Sequence, residues 1–293
     1  MTIEAYAKVN FTLEVLGVRS DGYHALRSVV VPVSLSDTLE IAEAESLSTD
    51  TGYADDLILK AARALDASAP GARPRGASFR VAKRIPAGGG LGGGSADAAA
   101  ALIALNAMWD LGCTRERLAE IGALVGSDVP ALVLAHPPCA ADRVPARGGA
   151  VLMEGRGEKV SPLFPAAGAL AAYDLVLANP GVHASTPGVF GRCPSRPADA
   201  PSALDAMVAA LRTGEVGRIA SALANDMEGA ALALYPAIGR AFAALESAGL
   251  RSPRMSGSGA TAYALAQSRA AAELAADALA AEGFAAWPAV AWV

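Results

Sequence analysis

Residues 88–94 contain six glycines and one leucine, directly before a segment whose composition is typical of a helix. A glycine cluster is costly in conformational entropy unless a particular backbone shape is needed. Glycines let backbone N–H groups approach phosphate oxygens closely, and a following helix N-terminus adds free N–H groups and a positive dipole end. Ser95 comes next and has two alternatives, because its hydroxyl can cap the helix or turn to a phosphate or a metal ion. The chemistry that this segment predicts is phosphate binding.

Three other interpretations of the glycine run are less favoured. A flexible linker would be flanked by polar, unstructured sequence, whereas this run lies directly between a predicted strand and a predicted helix. The dinucleotide pattern GxGxxG fits Gly88, Gly90 and Gly93, but no acidic residue ends a strand about 20 positions later. The phosphate-loop pattern that ends in lysine fails, because Ser95 and Ala96 follow the last glycine.

Two further sets of polar residues are candidates for a site. Lys8 and Asn10 project from one face of the alternating run AYAKVNFTLEVLG (residues 5–17), whose other face is apolar, so both can point into a cleft. A solvated strand face is the alternative, since lysines are usually exposed. Asp128 lies in the segment GSDVP, between a predicted helix and the apolar run ALVLA, which we predict as a strand. Ordinary turn chemistry is the alternative for this aspartate.

Composition limits the class of protein. The 293 residues are 53% hydrophobic and 18% charged, so the chain can bury a sizeable core. The net charge of −5 argues against nucleic acid or an anionic membrane as a partner. The three cysteines have no CxxC spacing and the three histidines are dispersed, so we expect reduced, buried thiols and no zinc site. Without a signal sequence or a membrane span, we predict a cytoplasmic globular protein.

The elements that must position these residues form a mixture of strand runs and helix pairs, which favours an α+β fold over a doubly wound sheet. Pro32 suggests an edge or a bulge in the second strand, and Thr114 is a candidate N-cap. We predict helices over VGRIASALANDME and YPAIGRAFAALESAG, and a strand–turn–strand over PRMSGSGATAYALA. A soft boundary rich in Pro, Gly and Ala at 137–150 suggests two domains, 1–150 and 151–293.

The loop PAGGGLGGGSADAAA resembles the second motif of the GHMP kinases, whose phosphate loop differs from the one that carries a lysine. Residues 7–29, AKVNFTLEVLGVRSDGYHALRSV, resemble the N-terminal signature of one family among them, the 4-diphosphocytidyl-2-C-methyl-D-erythritol kinases. The segments GSDVP, NPGVHASTPGVF and RMSGSGATAYAL resemble later blocks of that family and occur in its order. The resemblance therefore extends over nearly the whole chain.

The resemblance implies the two-domain α+β fold of GHMP kinases, with an ATP-binding N-terminal half of the ribosomal-S5-like domain 2 type, a ferredoxin-like C-terminal half, and the active site in the interdomain cleft. The implied activity is ATP-dependent phosphorylation of the 2-hydroxyl of 4-diphosphocytidyl-2-C-methyl-D-erythritol, in the methylerythritol phosphate (mevalonate-independent) isoprenoid route. The alternatives are a GHMP kinase for homoserine, mevalonate or a sugar, a non-catalytic ATP-binding protein on the same scaffold, and, more distantly, a nicotinamide-dependent oxidoreductase.

The family's site residues map onto this chain position by position. The resemblance implies that Asp128 accepts the proton of the attacking hydroxyl, with Lys8 beside it and Asn10 orienting the same hydroxyl. It further implies that the cytidylyl substrate is bound by Asn10, Tyr23, His24, Thr186 and Phe190. The third superfamily motif, with Ser256, Gly257 and Gly259, is expected beside the phosphate loop. The loop expected to bind ATP comprises Pro86, Ala87, Gly88, Gly89, Gly90, Leu91, Gly92, Gly93, Gly94, Ser95 and Ala96.

Two departures from the family pattern bear on the ligands. Asp56 stands where related enzymes commonly have asparagine, so purine contacts can differ here if its side chain faces the nucleotide. No carboxylate near the glycine loop is marked by spacing as a metal ligand. We expect Mg²⁺ to be held mainly by ATP oxygens and water, with Ser95 as a possible ligand. We expect a monomer or a weak homodimer.

Overall fold

The computed structural model describes residues 1–18, 22, 24–68, 75–142, 144, 146–164, 170–197 and 199–293. The strands are β1 (Thr2–Val18), β2 (His24–Glu43), β3 (Ser48–Thr49), β4 (Ala77–Ala82), β5 (Val151–Gly155), β6 (Lys159–Pro162), β7 (Ala172–Asn179), β8 (Ala224–Asn225), β9 (Arg254–Met255), β10 (Ala262–Leu265) and β11 (Ala285–Trp292). The helices are α1 (Leu57–Ser68), α2 (Gly93–Met108), α3 (Arg115–Gly122), α4 (Val129–Ala135), α5 (Thr186–Phe190), α6 (Ala203–Thr213), α7 (Val216–Ala222), α8 (Glu228–Leu234), α9 (Ala237–Ser247) and α10 (Arg269–Ala281).

The long strand β2 organises the sheet. It pairs antiparallel with β1, β4 and β5, while β3 extends β4 and β6 extends β5. In the C-terminal half, β7 lies between β11 and β10, and β9 pairs with β10. The pair Ala291–Val33 joins β11 to β2, so the strands of both halves form one continuous hydrogen-bonded system. This mixture of antiparallel strands and helices confirms the predicted α+β class.

The helix that follows the glycine run lies in the middle of the principal core. Every residue of α2 from 96 to 107 is buried, which fits its alanine-rich sequence with no polar face. It packs against β1, α1 and α4. The first turn of α2 emerges from this core at the glycine loop, so the loop is attached to a rigid support.

Strands from beyond residue 150 pair with strands of the N-terminal half. Strand β5 pairs with β2, β6 pairs with β5, and the short strand β8 pairs with β1 in parallel. The domain boundary at 150 stays a prediction.

Local structure differs from the sequence-based expectations at two short segments. The run ALVLA, expected as a strand, belongs to helix α4, in which Pro130 occupies the first turn, where a missing N–H costs no hydrogen bond. The predicted helix over VGRIASALANDME ends at Ala222, because Ala224 and Asn225 pair with Thr12 and Leu13 of β1. Runs of five to seven residues are too short for periodicity to distinguish a helix from a strand.

Strand β1 was expected to be half-buried, and this expectation is wrong. The apolar face is buried as predicted, but Lys8, Asn10, Thr12 and Glu14 on the polar face are also at most 4% exposed. Segments of the C-terminal half cover this face, including β8 and the residues that precede α6. The register of β1 against β2 shifts between Tyr6 and Lys8, opposite Pro32, which confirms a bulge there.

The predicted cap of α3 is confirmed. Thr114 caps α3, since its Oγ1 accepts a hydrogen bond from the backbone N–H of Arg117 at 3.3 Å. The three cysteines are free thiols, although each is half-buried rather than fully buried. Within the described part of the chain, no helix has both the length and the apolar character needed to cross a membrane.

Candidate active site

A cavity of about 1200 Å³ opens where the two halves meet. Strand β1, the glycine loop, the start of α4, the start of α5 and the loop between β9 and β10 all contribute to its wall. The lining includes, from the predicted site, Lys8, Asn10, His24, Pro86, Ala87, Gly88, Gly89, Gly90, Gly92, Gly93, Gly94, Ser95, Asp128, Thr186, Phe190 and Gly257. Residues from both ends of the predicted site therefore face one space.

Lys8, Asn10 and Asp128 form a polar group in the wall of this cavity. The Nζ of Lys8 donates to Oδ1 of Asn10 at 2.7 Å and lies 3.9 Å from Oδ2 of Asp128. The amide of Asn10 is held in turn, because its Nδ2 donates to Oγ of Ser28 at 2.7 Å. Lys8 and Asn10 are buried, whereas the Asp128 side chain is 34% exposed and accessible from the cavity.

The environment of Lys8 acts on its pKa in two opposing ways. Burial lowers the pKa of Lys8 below that of an exposed lysine, since the charged form loses its hydration. The negative charge of Asp128 opposes this shift. The backbone N–H of Lys8 also donates to the carbonyl of Leu91 at 3.0 Å, which fastens β1 to the glycine loop. A cationic side chain is thus held next to a carboxylate and next to the loop.

The glycine loop has a backbone shape that side chains would not permit. Gly88, Gly90 and Gly92 have φ values of +64°, +75° and +71°, in the left-handed region. A Cβ on Gly90 would lie 2.1 Å from the carbonyl oxygen of Ser256, so the loop and the third motif touch backbone to backbone. Leu91 points into the core instead of the cavity.

Helix α2 begins one turn earlier than Ser95 would require for capping. Its N-cap is Gly92, without a side-chain capping hydrogen bond. The alternative that Ser95 caps the helix is therefore wrong, since Ser95 already lies inside the first turn. Its side chain is half-buried and lines the cavity. Ala96 is buried and does not line it. The unpaired N–H groups of the first turn are donors that a phosphate group can use.

The third motif lies against the glycine loop, as expected. The Oγ of Ser256 donates to the carbonyl of Gly90 at 2.9 Å, and the N–H of Thr261 donates to the carbonyl of Gly89 at 3.0 Å. The N–H of Gly257 donates to Oδ1 of Asn10 at 2.9 Å. Gly259 packs its backbone near Gly90. The motif therefore bonds both to the phosphate loop and to the polar group on β1.

The expected substrate side of the cavity is formed by β2 and α5. The rings of His24 and Phe190 stack on each other with their centroids 4.9 Å apart, so this spacing leaves no room for an aromatic base between them. The Oγ1 of Thr186 lies 2.7 Å from Oγ of Ser258, next to the third motif. Tyr23 lies outside the described residues.

Asp97 and its partners were not identified from the sequence. Its Oδ2 accepts from Nζ of Lys83 at 2.6 Å, and the same Nζ donates to Asp37. Its Oδ1 is buried, lines the cavity region and has no hydrogen-bond partner among the described residues. Burial raises the pKa of Asp97 to about 7; Lys83 opposes this shift, whereas the neighbouring Asp37 carboxylate adds to it. The signal in the sequence was a lysine and an aspartate placed just before and just after the glycine run.

The departure at Asp56 has a structural explanation. Its Oδ1 accepts hydrogen bonds from the N–H groups of Ile58 at 2.7 Å and Leu59 at 3.2 Å, and its Oδ2 accepts from the hydroxyl of Thr51. The aspartate thus caps the start of α1 and uses both oxygens within the protein. It still forms part of the cavity wall.

The described residues contain no group of three or more His, Cys, Asp and Glu side chains that could hold a metal ion. The candidate site thus supplies backbone donors for an anion, the buried ammonium group of Lys8 and the accessible carboxylate of Asp128. That combination suits phosphoryl transfer, in which positioning and electrostatic stabilisation carry most of the catalysis.

Two family comparisons agree with this architecture. Residues 56–136 match the N-terminal domain of the GHMP kinases, and residues 206–285 match their C-terminal domain. A solved homoserine kinase from Cytophaga hutchinsonii shares the fold, with a TM-score of 0.69 and 18% identity, over 99% of this chain and 93% of that one. The fold and the site thus define the class of GHMP kinases.

Comparison with individual relatives narrows this class. A 4-diphosphocytidyl-2-C-methyl-D-erythritol kinase from Parvibaculum lavamentivorans is 40% identical over 90% of this chain and 88% of the relative. One from Paramagnetospirillum magneticum is 41% identical over 92% of each chain. A crystal structure of a 4-(cytidine 5'-diphospho)-2C-methyl-D-erythritol kinase superposes with a TM-score of 0.81 at 33% identity and covers 100% of both chains. The chain belongs to the family of 4-diphosphocytidyl-2-C-methyl-D-erythritol kinases.

Proposed function

We propose that this protein transfers the γ-phosphoryl group of ATP to the 2-hydroxyl of 4-diphosphocytidyl-2-C-methyl-D-erythritol, in the methylerythritol phosphate route to isoprenoids. The observation that carries the proposal is the distance of 3.9 Å between Nζ of Lys8 and Oδ2 of Asp128, in the cavity that the glycine loop also lines. Family membership supports the choice of this acceptor, since the similar proteins are named 4-diphosphocytidyl-2-C-methyl-D-erythritol kinases.

In this proposal, Asp128 is the general base. Its carboxylate accepts the proton of the 2-hydroxyl, the hydroxyl oxygen bonds to the γ-phosphorus, and ADP leaves. Lys8 keeps Asp128 ionised and opposes the negative charge on the transferring group. Asn10 accepts a hydrogen bond from the ammonium group of Lys8 and so fixes its position. In this proposal, Asn10 also orients the 2-hydroxyl of the acceptor.

The triphosphate lies, in this proposal, along residues 88–95, where backbone N–H groups meet the N-terminus of α2. Mg²⁺ would be bound by triphosphate oxygens and water, with the Ser95 hydroxyl as the ligand from the chain, and it would neutralise phosphate charge.

The cytidylyl end of the acceptor is assigned to the β2 and α5 side. His24 offers hydrogen-bonding nitrogens to the edge of a pyrimidine, and Phe190 supports the imidazole ring from behind. Thr186 offers a hydroxyl close to the third motif. Tyr23 is proposed as the stacking partner of the base. A cytoplasmic location and a monomeric or weakly dimeric state complete the proposal.

An assay of ADP release with different alcohols tests this function. The purified protein is incubated with ATP, Mg²⁺ and either 4-diphosphocytidyl-2-C-methyl-D-erythritol, homoserine, mevalonate or a sugar, and the phosphorylated product is identified by mass spectrometry. We expect ADP release and a 2-phosphate with the cytidylyl alcohol alone. Product from another alcohol in preference would identify a different GHMP kinase, and ATP binding without any product would indicate a non-catalytic protein.

A further inference from the structure

The segment from Asn225 to Glu228 is not explained by the site as described so far. It follows α7, pairs in parallel with β1 at Thr12 and Leu13, and bonds the N–H of Asp226 to the carbonyl of Leu13 at 2.9 Å. This places it on the strand that carries Lys8 and Asn10. Its polar side chains are largely buried although nothing in the mechanism uses them.

The amide of Asn225 is saturated with hydrogen bonds to the third motif. Its Nδ2 donates to the carbonyls of Met255 and Gly257, both at 2.8 Å, and its Oδ1 accepts from the N–H of Met227 at 2.9 Å. Because both acceptors are carbonyl oxygens, only an amide in this orientation satisfies them. The side chain is 8% exposed, so an unmet bond here would leave a buried carbonyl without a partner.

Gly257 of the third motif connects Asn225 to Asn10 and Lys8 through hydrogen bonds. Gly257, whose carbonyl is held by Asn225 from the peptide that follows its Cα, donates the N–H of the preceding peptide to Oδ1 of Asn10 at 2.9 Å. The same Oδ1 accepts from Nζ of Lys8 at 2.7 Å. Gly257 has φ +57°, and a Cβ there would lie 3.2 Å from Nζ of Lys8, so the backbone of this residue packs closely against the ammonium group. A shift of Gly257 therefore displaces Asn10 and Lys8 together.

Two neighbours of Asn225 fix the same segment from other directions. Glu228 accepts the N–H of Met255 through Oε1 at 2.8 Å. Asp226 accepts the N–H of Val15 on β1 through Oδ2 at 2.9 Å and pairs with Arg196 through Oδ1 at 2.7 Å. The side chain of Asp226 thus contacts β1 and the loop after α5, without touching the third motif.

We propose that Asn225 is a positioning residue for phosphoryl transfer, which sets the place of the Lys8 ammonium group through the backbone of Gly257 and the amide of Asn10. The inference rests on the proposed kinase function. Phosphoryl transfer depends on positioning and on preorganised charge, so a small displacement of Lys8 lowers turnover more than it lowers the binding of either substrate.

The variant Asn225→Asp tests this role, because it keeps the shape and removes both donors. We expect kcat with the cytidylyl alcohol to fall tenfold or more, with KM for ATP and for the alcohol within threefold of the parent. The matched control is Asp226→Asn, which retains an acceptor for Val15 and has no bond to the third motif. For the control we expect kcat within threefold of the parent, even if its thermal stability falls.

A second variant guards against loss of the fold. Asn225→Ser retains one donor, so we expect a folded protein whose kcat lies between that of the parent and that of Asn225→Asp. If Asn225→Asp does not fold, the kcat of the serine variant tests the proposal in its place. The proposal is overturned if a folded Asn225 variant keeps kcat within threefold, if the loss appears in KM instead, or if Asp226→Asn loses kcat equally. A parent protein without kinase activity would instead reject the proposed function itself.

Discussion

At the scale of single residues, the candidate site depends on three charged side chains: Lys8, Asp128 and Asp97. Lys8 is buried, and its ammonium group lies next to Asn10 and Asp128. These two neighbours fix the position of its positive charge. Asp128 is the accessible member of the pair, which is consistent with the general-base role proposed for it. Asp97 is different, because its charge is buried and one of its oxygens has no partner among the described residues.

The first prediction concerns Asp128. Asp128→Asn removes the proton acceptor but keeps the size and polarity of the side chain. We expect kcat to fall about 10²–10⁴-fold, the usual contribution of a general base, while ATP and the cytidylyl alcohol still raise the Tm of the variant as they do that of the parent. A turnover within about threefold of the parent would remove Asp128 from its role, since that loss lies far below the range for a general base.

The second prediction concerns the dependence of stability on pH. Because the folded-state pKa of Asp97 is raised to about 7, the unfolded chain releases this proton at lower pH than the folded protein does. Asp97 therefore reduces stability progressively as the pH rises from about 4 to 7, and by a constant amount above that range. We expect Asp97→Asn to be more stable than the parent above pH 7, by about 1–3 kcal/mol, and to lose this advantage near pH 4.

Urea unfolding of the parent and of the variant at pH 4, 5.5, 7 and 8.5 measures this difference. The control is Asp37→Asn, because Asp37 bonds the same Lys83 and also accepts the N–H groups of Arg84 and Ile85. That variant should be less stable than the parent at every pH. An Asp97→Asn variant that is destabilised at pH 8.5 would show that the ion pair with Lys83 outweighs the burial of the carboxylate.

At the scale of elements, the glycine loop is held by its neighbours more than by its own sequence. Its carbonyl groups are bonded by Lys8, Ser256 and Thr261, which belong to both halves of the chain. Helix α2 then begins inside the glycine run and continues into the core. The helix N-terminus is therefore presented to the cavity by a support that is buried on all sides.

The third prediction separates two glycines of this loop. Gly90→Ala places a Cβ at a positive φ and 2.1 Å from a backbone carbonyl oxygen. We expect the free energy of unfolding to fall by about 1–3 kcal/mol or more, and the stabilisation by ATP to be lost. Gly94→Ala is the matched control, since its Cβ would meet only Leu57 at an ordinary 3.5 Å in the first turns of α2. Its stability should equal or exceed that of the parent, by up to about 1 kcal/mol.

Thermal and urea unfolding with and without ATP measure both variants. Equal stability of Gly90→Ala and Gly94→Ala would mean that the loop does not hold the backbone shape described here.

At the scale of the whole molecule, the two halves are joined by shared strands and by a buried ionic group. Glu14 on β1 is fully buried and pairs with Arg27 at 2.6 Å and Arg196 at 3.5 Å. Arg196 also pairs with Asp226 at 2.7 Å, so one guanidinium connects β1, the residue that follows β8 and the loop before α6. This ionic group therefore ties β1 to two segments of the C-terminal half.

The fourth prediction addresses this connection. Arg196→Ala leaves a buried carboxylate with one cation fewer, and we expect the free energy of unfolding to fall by about 2–4 kcal/mol in urea titration. The control is Arg218→Ala, which breaks an exposed pair with Glu215 and should change stability by less than about 0.5 kcal/mol. Similar small effects for both variants would show that the buried group contributes no more than a surface ion pair.

The sequence by itself determined the chemistry of this protein and most of its long elements. A run of six glycines in seven residues before an alanine-rich helix has few uses besides holding an anion, and residues 7–29 together with later blocks specified the family. The long helices α1, α6 and α9 were predictable because periodicity over ten or more residues records which face is buried, and α2 was predictable from its alanine-rich composition.

Only the tertiary structure decided where the polar residues of β1 lie, what shape α4 and the Asn225 segment take, and which groups surround Lys8. Burial of a polar strand face depends on chain segments more than 180 residues away, such as Ala203 against Glu14, and no local pattern records their approach. The helix start at Gly93 likewise follows from packing against β1 and the third motif, not from the capping preference of Ser95. Short elements take the conformation that satisfies their buried hydrogen bonds, and the partners for those bonds are supplied by the rest of the fold.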